Sequence, residues 1–480
     1  MVVGGLDIGT SGCKIVLYDE KGNSCGNFYK EYDVKRSGGL HEVDAEEIFA
    51  SVCEVISRAN GIELSAIAVT SFGETFTMLD ENDKPCAPSM LYTDPRGKEE
   101  CIVLTEKFGT EELAFRTGSL PHEMYSLPKI MWIKKNLPEE YSRAKHILLM
   151  QDFVVYMLTG VAQIDYSLAA RTICFDLKEK KWASDILKFC GIDEKLLSTP
   201  VPSGTIAGTI KPEMAKKLGI LSNCKIVSGC HDQIAAMTGA NVYECDEVMD
   251  GTGTVECVPV IMEDIPKDIS LYEKGYSIAQ HINGKYACYV LSYAGGATLK
   301  WFRDKICNKP YSELDKMVKE EPSDLMIMPH FAGAATPYMD SQSKASVVGL
   351  TFEHGIEDIY KALMEGTAYE IMLNLEILKE YGIEPGMLIA TGGGANSDIW
   401  LQIKADVLNT AVTALDGNEI GGAGTAYLAG KAVGMYEDRT SLLKERKVFY
   451  PNFEKYEFYK KQFKKYKKIY TAVKEVDKNE

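Results

Sequence analysis

Three short stretches of this 480-residue chain carry residue types that could hold a phosphate or a nucleoside. The first is Gly5-Leu6-Asp7-Ile8-Gly9-Thr10-Ser11. Its glycines let the backbone turn sharply and come close to a ligand. Thr10, Ser11 and the N–H groups around them offer donors to phosphate oxygens, as in an anion-binding nest. Asp7, at the end of an apolar strand, could hold a divalent cation directly or through water. A glycine-rich hairpin with no ligand is the competing reading of this stretch taken alone. The second stretch, Asp250-Gly251-Thr252-Gly253-Thr254, echoes the first in the other half of the chain. The third, Gly392-Gly393-Gly394-Ala395-Asn396-Ser397, joins an apolar strand to a helix. Three glycines there are costly to order unless something approaches the backbone closely. A nucleotide base or ribose would do so, and so would close packing of helix on strand.

Carboxylates suited to proton transfer or to binding hydroxyls stand at strand ends. Glu74 follows the β-rich run from Leu64 to Thr70, and in open α/β sheets ligands bind beyond the carboxyl ends of strands. It could accept hydrogen bonds from sugar hydroxyls; a solvated turn is the alternative. Asp94 and Arg96 either line the same site or form a surface ion pair of little worth. Asp232 sits where the strand Ile226–Cys230 gives way to a small-residue helix, a position that also suits a helix cap. His122-Glu123-Met124-Tyr125-Ser126 lacks the second histidine of a zinc helix. No Walker-type phosphate loop, Rossmann glycine fingerprint or nucleophile elbow occurs.

The elements that must position these residues alternate in type. Residues 2–35 read as a three-stranded meander. Asp44-Ala45-Glu46-Glu47 starts a helix whose Ile48, Val52, Val55 and Ile56 share one face. The run from Leu64 to Thr70 reads as a parallel strand buried on both faces. In the second half come Gly295 at the head of a helix, a long amphipathic helix over Ile359 to Leu378, and the strand Met387 to Thr391. A further helix runs from Asp398 through Leu408, and Gly421-Gly422-Ala423-Gly424-Thr425 precedes another. Tyr459, Phe463, Tyr466 and Tyr470 form an aromatic stripe on a Lys-rich tail helix. Two similar glycine turns heading two halves suggest a duplicated α/β fold, its halves facing each other over one ligand. The expected boundary is at about residue 244, giving domains 1–244 and 245–480.

Composition narrows the classes. A net charge of -16 argues against a nucleic-acid surface, though not against a nucleotide site made of backbone N–H groups. Thirteen scattered cysteines without a Cys-x-x-Cys pair read as reduced thiols of a cytoplasmic protein. No signal peptide is seen, and no apolar run approaches the ~20 residues of a membrane span.

In this order the motifs resemble the FGGY carbohydrate kinases, of the actin/hexokinase/chaperone superfamily, over essentially the whole chain. The stretches at Gly5 and Asp250 look like the two phosphate loops. The Gly392 stretch, with Trp400, Gln402 and Ala405-Asp406-Val407-Leu408, is similar to the adenosine segment, and Glu365-Gly366-Thr367-Ala368 matches the helix before it. Gly229-Cys230-His231-Asp232-Gln233 is similar to the catalytic segment, and Asp165-Tyr166-Ser167-Leu168-Ala169 with Arg171-Thr172 resembles a stretch of the sugar-kinase branch.

The resemblance implies two duplicated ribonuclease-H-like (actin-like ATPase) domains with a catalytic cleft between them. It implies phosphoryl transfer from ATP to a sugar or polyol hydroxyl, with Asp232 as general base. Glu74, Asp94 and Gln233 would hold the substrate and Asp7 would position Mg²⁺. Thr10, Ser11, Thr252, Gly253, Thr254, Gly295, Gly393, Gly394, Asn396 and Ser397 would hold the nucleotide.

Subfamily patterns are only partly met. Gly73 stands where glycerol kinases carry an Arg before the Glu, and the Gln-Met-His pattern of xylulose kinases is absent at 72–74. The Asp165 stretch and the aromatic tail look more like the ketose-kinase side. A ketose or related polyol, most of all a pentulose such as xylulose, is therefore expected. Glycerol or a gluconate-type sugar acid is the alternative, and a non-enzymatic nucleotide switch a more distant one. Dimers are common in the family, which leaves a homodimer open.

Overall fold

A computed structural model describes residues 1–417 and 419–477. In chain order, the elements that matter for the site begin with strands β1 (Val2–Ile8), β2 (Gly12–Asp19) and β3 (Ser24–Glu31). Helix α1 (Ala45–Ser57), strands β4 (Leu64–Ser71), β5 (Thr205–Thr209) and β6 (Lys225–His231), and helix α2 (Asp232–Gly239) follow. Next come β7 (Glu247–Thr252), β8 (Glu256–Cys257), α3 (Gly296–Phe302), α4 (Ile356–Leu378), β9 (Met387–Thr391), α5 (Asp398–Leu408) and β10 (Ala411–Leu415). The last are α6 (Ile420–Ala432), β11 (Glu445–Phe449) and α7 (Phe453–Tyr466).

These elements group into two compact α/β units. The first holds Met1–Asn241 with Ser277–Tyr286 and Glu419–Leu443; the second holds Val242–Tyr276, Ala287–Asn418 and Lys444–Glu480. The first break in this grouping falls between Asn241 and Val242, and two later segments join the first unit. The reason for α6 is steric. It is a helix of small residues, and it packs where its neighbours are also small. A Cβ on Gly5 of β1 would stand 2.1 Å from the Gly422 carbonyl oxygen and 2.5 Å from the Ala426 nitrogen. A Cβ on Gly424 would stand 2.0 Å from the Ala235 carbonyl oxygen of α2. Backbone meets backbone at both places, so Gly5→Ala must push β1 and α6 apart. We expect it to cost about 1–3 kcal/mol, the usual range for overpacking a core. Calorimetric melting measures this, and an unchanged Tm would show that the helix can shift freely.

The first unit is built on a six-stranded sheet in the order β5-β6-β4-β1-β2-β3. The meander β1-β2-β3 is antiparallel, and β1, β4 and β6 run parallel to one another. The central strands are apolar on both sides and are buried on both, as parallel strands covered by helices must be. On one face lies α1. Asp44 caps it by accepting from the N–H groups of Glu46 and Glu47, and Ile48, Val52, Val55 and Ile56 bury together.

The second unit repeats the plan with β7, β9 and β10 parallel, β8 antiparallel to β7 and β11 antiparallel to β10. The aromatic stripe of α7 packs where its periodicity points. Tyr459, Phe463 and Tyr466 are buried against Tyr369 of α4. Buried hydroxyls need partners, and Tyr459 donates to Glu365 at 2.7 Å. Among the described residues no disulfide joins the cysteines and no helix is long and apolar enough to cross a membrane.

Candidate active site

Strand register assembles the first half of the site. In the first unit Asp7 pairs with Thr70, Ile8 with Ser71, and Ser71 with His231. Three parallel strands therefore end at one level, and the residues that follow them emerge along one sheet edge. These are Gly9–Ser11, Phe72–Glu74 and Asp232–Gln233. In β6 a register shift between Ser228 and His231 adjusts that last exit. It needs Gly229, whose Cβ would lie 2.4 Å from the Val69 carbonyl oxygen.

The first glycine turn closes with a bond from Gly9 N to Gly12 O at 2.9 Å, and the Tyr32 hydroxyl donates to the Gly9 carbonyl. The N–H and hydroxyl groups of Thr10 and Ser11 find no acceptor among the described residues. Four donors on two adjacent residues thus point away from the protein's own acceptors, as a phosphate site requires.

Beside this turn, Asp7 accepts no side-chain hydrogen bond among the described residues. Burial and the Asp232 charge push its carboxyl up to about 7, with Lys14 opposing and Glu419 adding to the rise. Lys14 itself is paired to Glu419 at 2.6 Å. Glu419 leads into α6, and 405 residues separate it from Lys14, so no local pattern could have announced this pair.

Asp232 is the first residue of α2, and the N-cap is His231, so Asp232 is not spent as a cap. Its side chain keeps 36% of its surface, yet Oδ1 is shut from solvent and has no well-aligned hydrogen bond among the described residues. Oδ1 lies 3.2 Å from His231 Nε2. Burial lifts the Asp232 carboxyl to about 6, while Gln233 and the Arg171 charge pull it back. His231 is pushed down to about 3 by burial and by Arg171, so it stays neutral beside the aspartate. The backbone here is pinned from behind. His231 N donates to Ser167 Oγ at 2.8 Å, and Ser167 Oγ donates to Asp165 at 2.7 Å. This is what the Asp165-Tyr166-Ser167 stretch does.

Glu74 is buried, not solvated. Its φ of 64° lies in the left-handed region, a strain of about 1–3 kcal/mol for a non-glycine residue. Two contacts hold it there: Arg171 Nε donates to Glu74 Oε1 at 2.6 Å, and Ser126 Oγ donates to the Glu74 carbonyl at 2.6 Å. The guanidinium also lies 5.0 Å from the Tyr125 ring centroid. Gly73 makes room for this. A Cβ there would stand 3.0 Å from Arg171 Cγ and 3.3 Å from His231 Cδ2. An Arg–Glu pair thus exists here, its arginine coming from residue 171 and not from position 73.

Asp94 forms the pair with Arg96, buried and not at the surface. Arg96 donates to it twice, at 2.8 and 2.7 Å, and the N–H groups of His41 and Arg96 at 2.8 and 3.0 Å fill the remaining positions on its oxygens. Burial would raise this carboxyl, but these donors hold it below its usual value. It is a buried structural knot with no acceptor left for a substrate.

The second unit repeats the glycine turn. Gly253 N donates to Val255 O at 2.9 Å, and the N–H groups of Thr254 and Val255 find no acceptor among the described residues. Gly253 and Thr254 are exposed. Thr252 is not: its hydroxyl is turned inward to Asp250, Glu256 and Lys404 at 2.9, 3.0 and 2.8 Å, so it cannot also meet a phosphate. Gly295 serves the turn as well. Its Cβ would lie 2.5 Å from the Val255 carbonyl carbon, and Gly296 N and Ala297 N donate to the carbonyls of Gly253 and Thr254 at 2.8 and 3.0 Å.

The triple glycine divides its roles. Cβ atoms on Gly392 and Gly394 would lie 2.6 Å from Thr252 O and from Thr252 Cβ, so protein packing accounts for both. Gly393 has nothing nearer than 4.0 Å and is exposed beside exposed Asn396. Ser397 caps α5, accepting from Trp400 N and donating to Asp315 at 2.9 Å, which removes it from the nucleotide contacts. Lys404 was not anticipated. A lone lysine among Trp400, Leu401, Ile403 and Val407 breaks the apolar face of α5, and that break was the available signal.

The chain matches the N-terminal domain of the FGGY family of carbohydrate kinases over residues 2–239 and the C-terminal domain over residues 251–433. It is 28% identical to a xylulose kinase of Bacillus subtilis, over 98% of this chain and 97% of that one. It is 29% identical to a gluconokinase of the same organism, over 90% and 87%. Its fold superposes on a xylulose kinase structure from Lactobacillus acidophilus with a TM-score of 0.90 at 25% identity, over 98% of both chains. With both domains matched in order, this chain belongs to the FGGY family of carbohydrate kinases and is a sugar kinase, a phosphotransferase.

Proposed function

We propose that this protein transfers the γ-phosphate of ATP to a hydroxyl of a ketose, a pentulose such as xylulose. The observation that carries this reading is the Asp232–Arg171–Glu74 group. Asp232 holds a partly open carboxylate whose affinity for a proton is raised, as a general base needs. The substrate oxygen attacks the γ-phosphorus, the bond to the β–γ bridging oxygen breaks, and the hydroxyl proton passes to Asp232. Gln233 and the Glu74–Arg171 pair orient the remaining hydroxyls. Thr10, Ser11, Thr254 and Val255 offer donors to phosphate oxygens, Gly253 having given its own N–H to Val255, and Gly393 and Asn396 offer an open surface to the nucleoside.

Asp7 fits Mg²⁺. Its carboxylate lacks a hydrogen-bond partner among the described residues and sits in a field that Asp232 and Glu419 make negative. Among the described residues no cluster of three or more His, Cys, Asp or Glu could hold a metal alone. That suits Mg²⁺, which takes one or two carboxylates and completes its shell with phosphate and water. When bound, the ion would neutralise phosphate charge.

A neutral substrate is favoured because the Arg171 cation is already engaged by Glu74. A sugar acid would need a cation to spare. The gluconokinase relative keeps that second reading in view. ADP release measured with xylulose, ribulose, fructose, glycerol and gluconate decides among them. The expected result is highest kcat/KM on a pentulose, and a tenfold preference for gluconate would overturn the substrate assignment. The same assay run against pH at saturating Mg²⁺, which would keep Asp7 ionised, should show an acidic limb near pH 6. Activity falls as Asp232 gains a proton below that value and levels off above it.

A further inference from the structure

Beneath the Gly253–Val255 turn lies a charge cluster that phosphate transfer does not use. Lys404, Asp250 and Glu256 are wholly buried. The Lys404 ammonium contacts Asp250 Oδ2 and lies 2.6 Å from Glu256 Oε1 and 2.8 Å from Thr252 Oγ1. Its three N–H bonds are thus matched to three oxygens. Glu256 Oε2 is buried with no hydrogen-bond partner among the described residues. Register pairs Thr252 with Glu256 across the β7–β8 hairpin, so the cluster underlies the turn itself. Lys404 arrives from α5, with its ammonium 4.8 Å from the Trp400 ring centroid. The glycine segment that leads into α5 presses on Thr252 from another side.

We propose that Lys404 is a positioning residue for nucleotide binding. It ties the Gly253–Val255 turn to α5, so that the unpaired N–H groups of Thr254 and Val255 keep a fixed relation to Gly393 and Asn396. The inference rests on the reading that this unit takes ATP, and assigns the alignment to a buried cation acting through Thr252. Lys404 is wholly buried beneath the turn and acts from behind it. A site held in its binding geometry beforehand avoids the ordering cost at binding, which is how a residue out of contact can set affinity.

Two variants test this in the full-length protein. Lys404→Met leaves two unpaired buried carboxylates and is at risk of misfolding. Lys404→Met/Asp250→Asn/Glu256→Gln removes every charge at similar volume, so that no buried carboxylate is left without its counter-ion. ADP binding is read by titration calorimetry, and KM by steady-state kinetics. The expected result is a folded triple variant that binds ADP at least tenfold more weakly, with the KM for ATP raised in proportion and the KM for the sugar within twofold. A folded triple variant that binds ADP within twofold of wild type overturns the inference alone. Equal rises in both KM values also overturn it, since they mark a general loosening. A wild-type protein that binds no ADP overturns instead the reading on which it rests.

Discussion

Asp232→Asn is expected to lower kcat about a thousandfold, within the range that a general base contributes. The amide keeps the shape of the side chain and cannot take the hydroxyl proton. Three features make the outcome specific. The cap of α2 is His231, so the helix does not depend on the carboxylate. The backbone at the junction is held independently by Ser167 and Asp165. A carboxylate whose proton affinity burial has raised is one the fold does not need ionised. The variant should therefore melt close to wild type and bind ADP within about threefold of it, the loss falling on turnover. Retention of more than a tenth of wild-type turnover would show that another group takes the proton. Unfolding would show that the carboxylate had been structural after all.

Arg171→Met is expected to have the second largest effect, and a mixed one. It strands Glu74, 4% exposed and locked at a positive φ, without its counter-ion. Breaking a buried pair from one side costs about 3–5 kcal/mol, most of it the uncompensated charge that remains. Glu74 would then be free to shift, and the sugar KM should rise at least tenfold with the KM for ATP unchanged. Arg171 also draws the Asp232 carboxyl downward. Without that cation Asp232 holds its proton to higher pH, so the acidic limb of the rate profile should move upward. Arg171→Met/Glu74→Gln removes both charges and should regain much of the stability. If it also regains the wild-type sugar KM, the pair is structural and the substrate is read elsewhere.

Much of this was legible in the sequence because it is local. A glycine turn after an apolar strand is written in consecutive residues, and both glycine turns stand where their residues put them. Each closes with a 2.9 Å bond from its first glycine and leaves two adjacent N–H groups unpaired. The cap at Asp44, the buried run of β4 and the aromatic stripe of α7 follow from short-range periodicity in the same way. So does the placing of Asp232 where a strand meets a helix, since strand and helix are separately written on either side of it.

What the sequence could not show was which groups are already engaged. Asp94 and Glu74 look alike in sequence, each a carboxylate near an apolar segment. Only the fold shows that Asp94 is saturated by Arg96 and His41, whereas Glu74 takes its arginine from 97 residues away. Thr252 and Thr254 look equivalent two residues apart. Thr252 is the last residue of β7 and hairpin register sets it in a buried cluster opposite Glu256, whereas Thr254 lies beyond the strand, in the turn, and is exposed.

The sequence by itself determined the family, the two glycine turns and the candidate base, since each is encoded in contiguous residues whose backbone needs are their own. Tertiary structure alone decided the rest. It brought Arg171 into the space beside Gly73, returned α6 to the first unit and set Lys404 beneath the second turn. Each of these depends on which distant surface has the size and charge to fit, and a linear pattern does not carry that information.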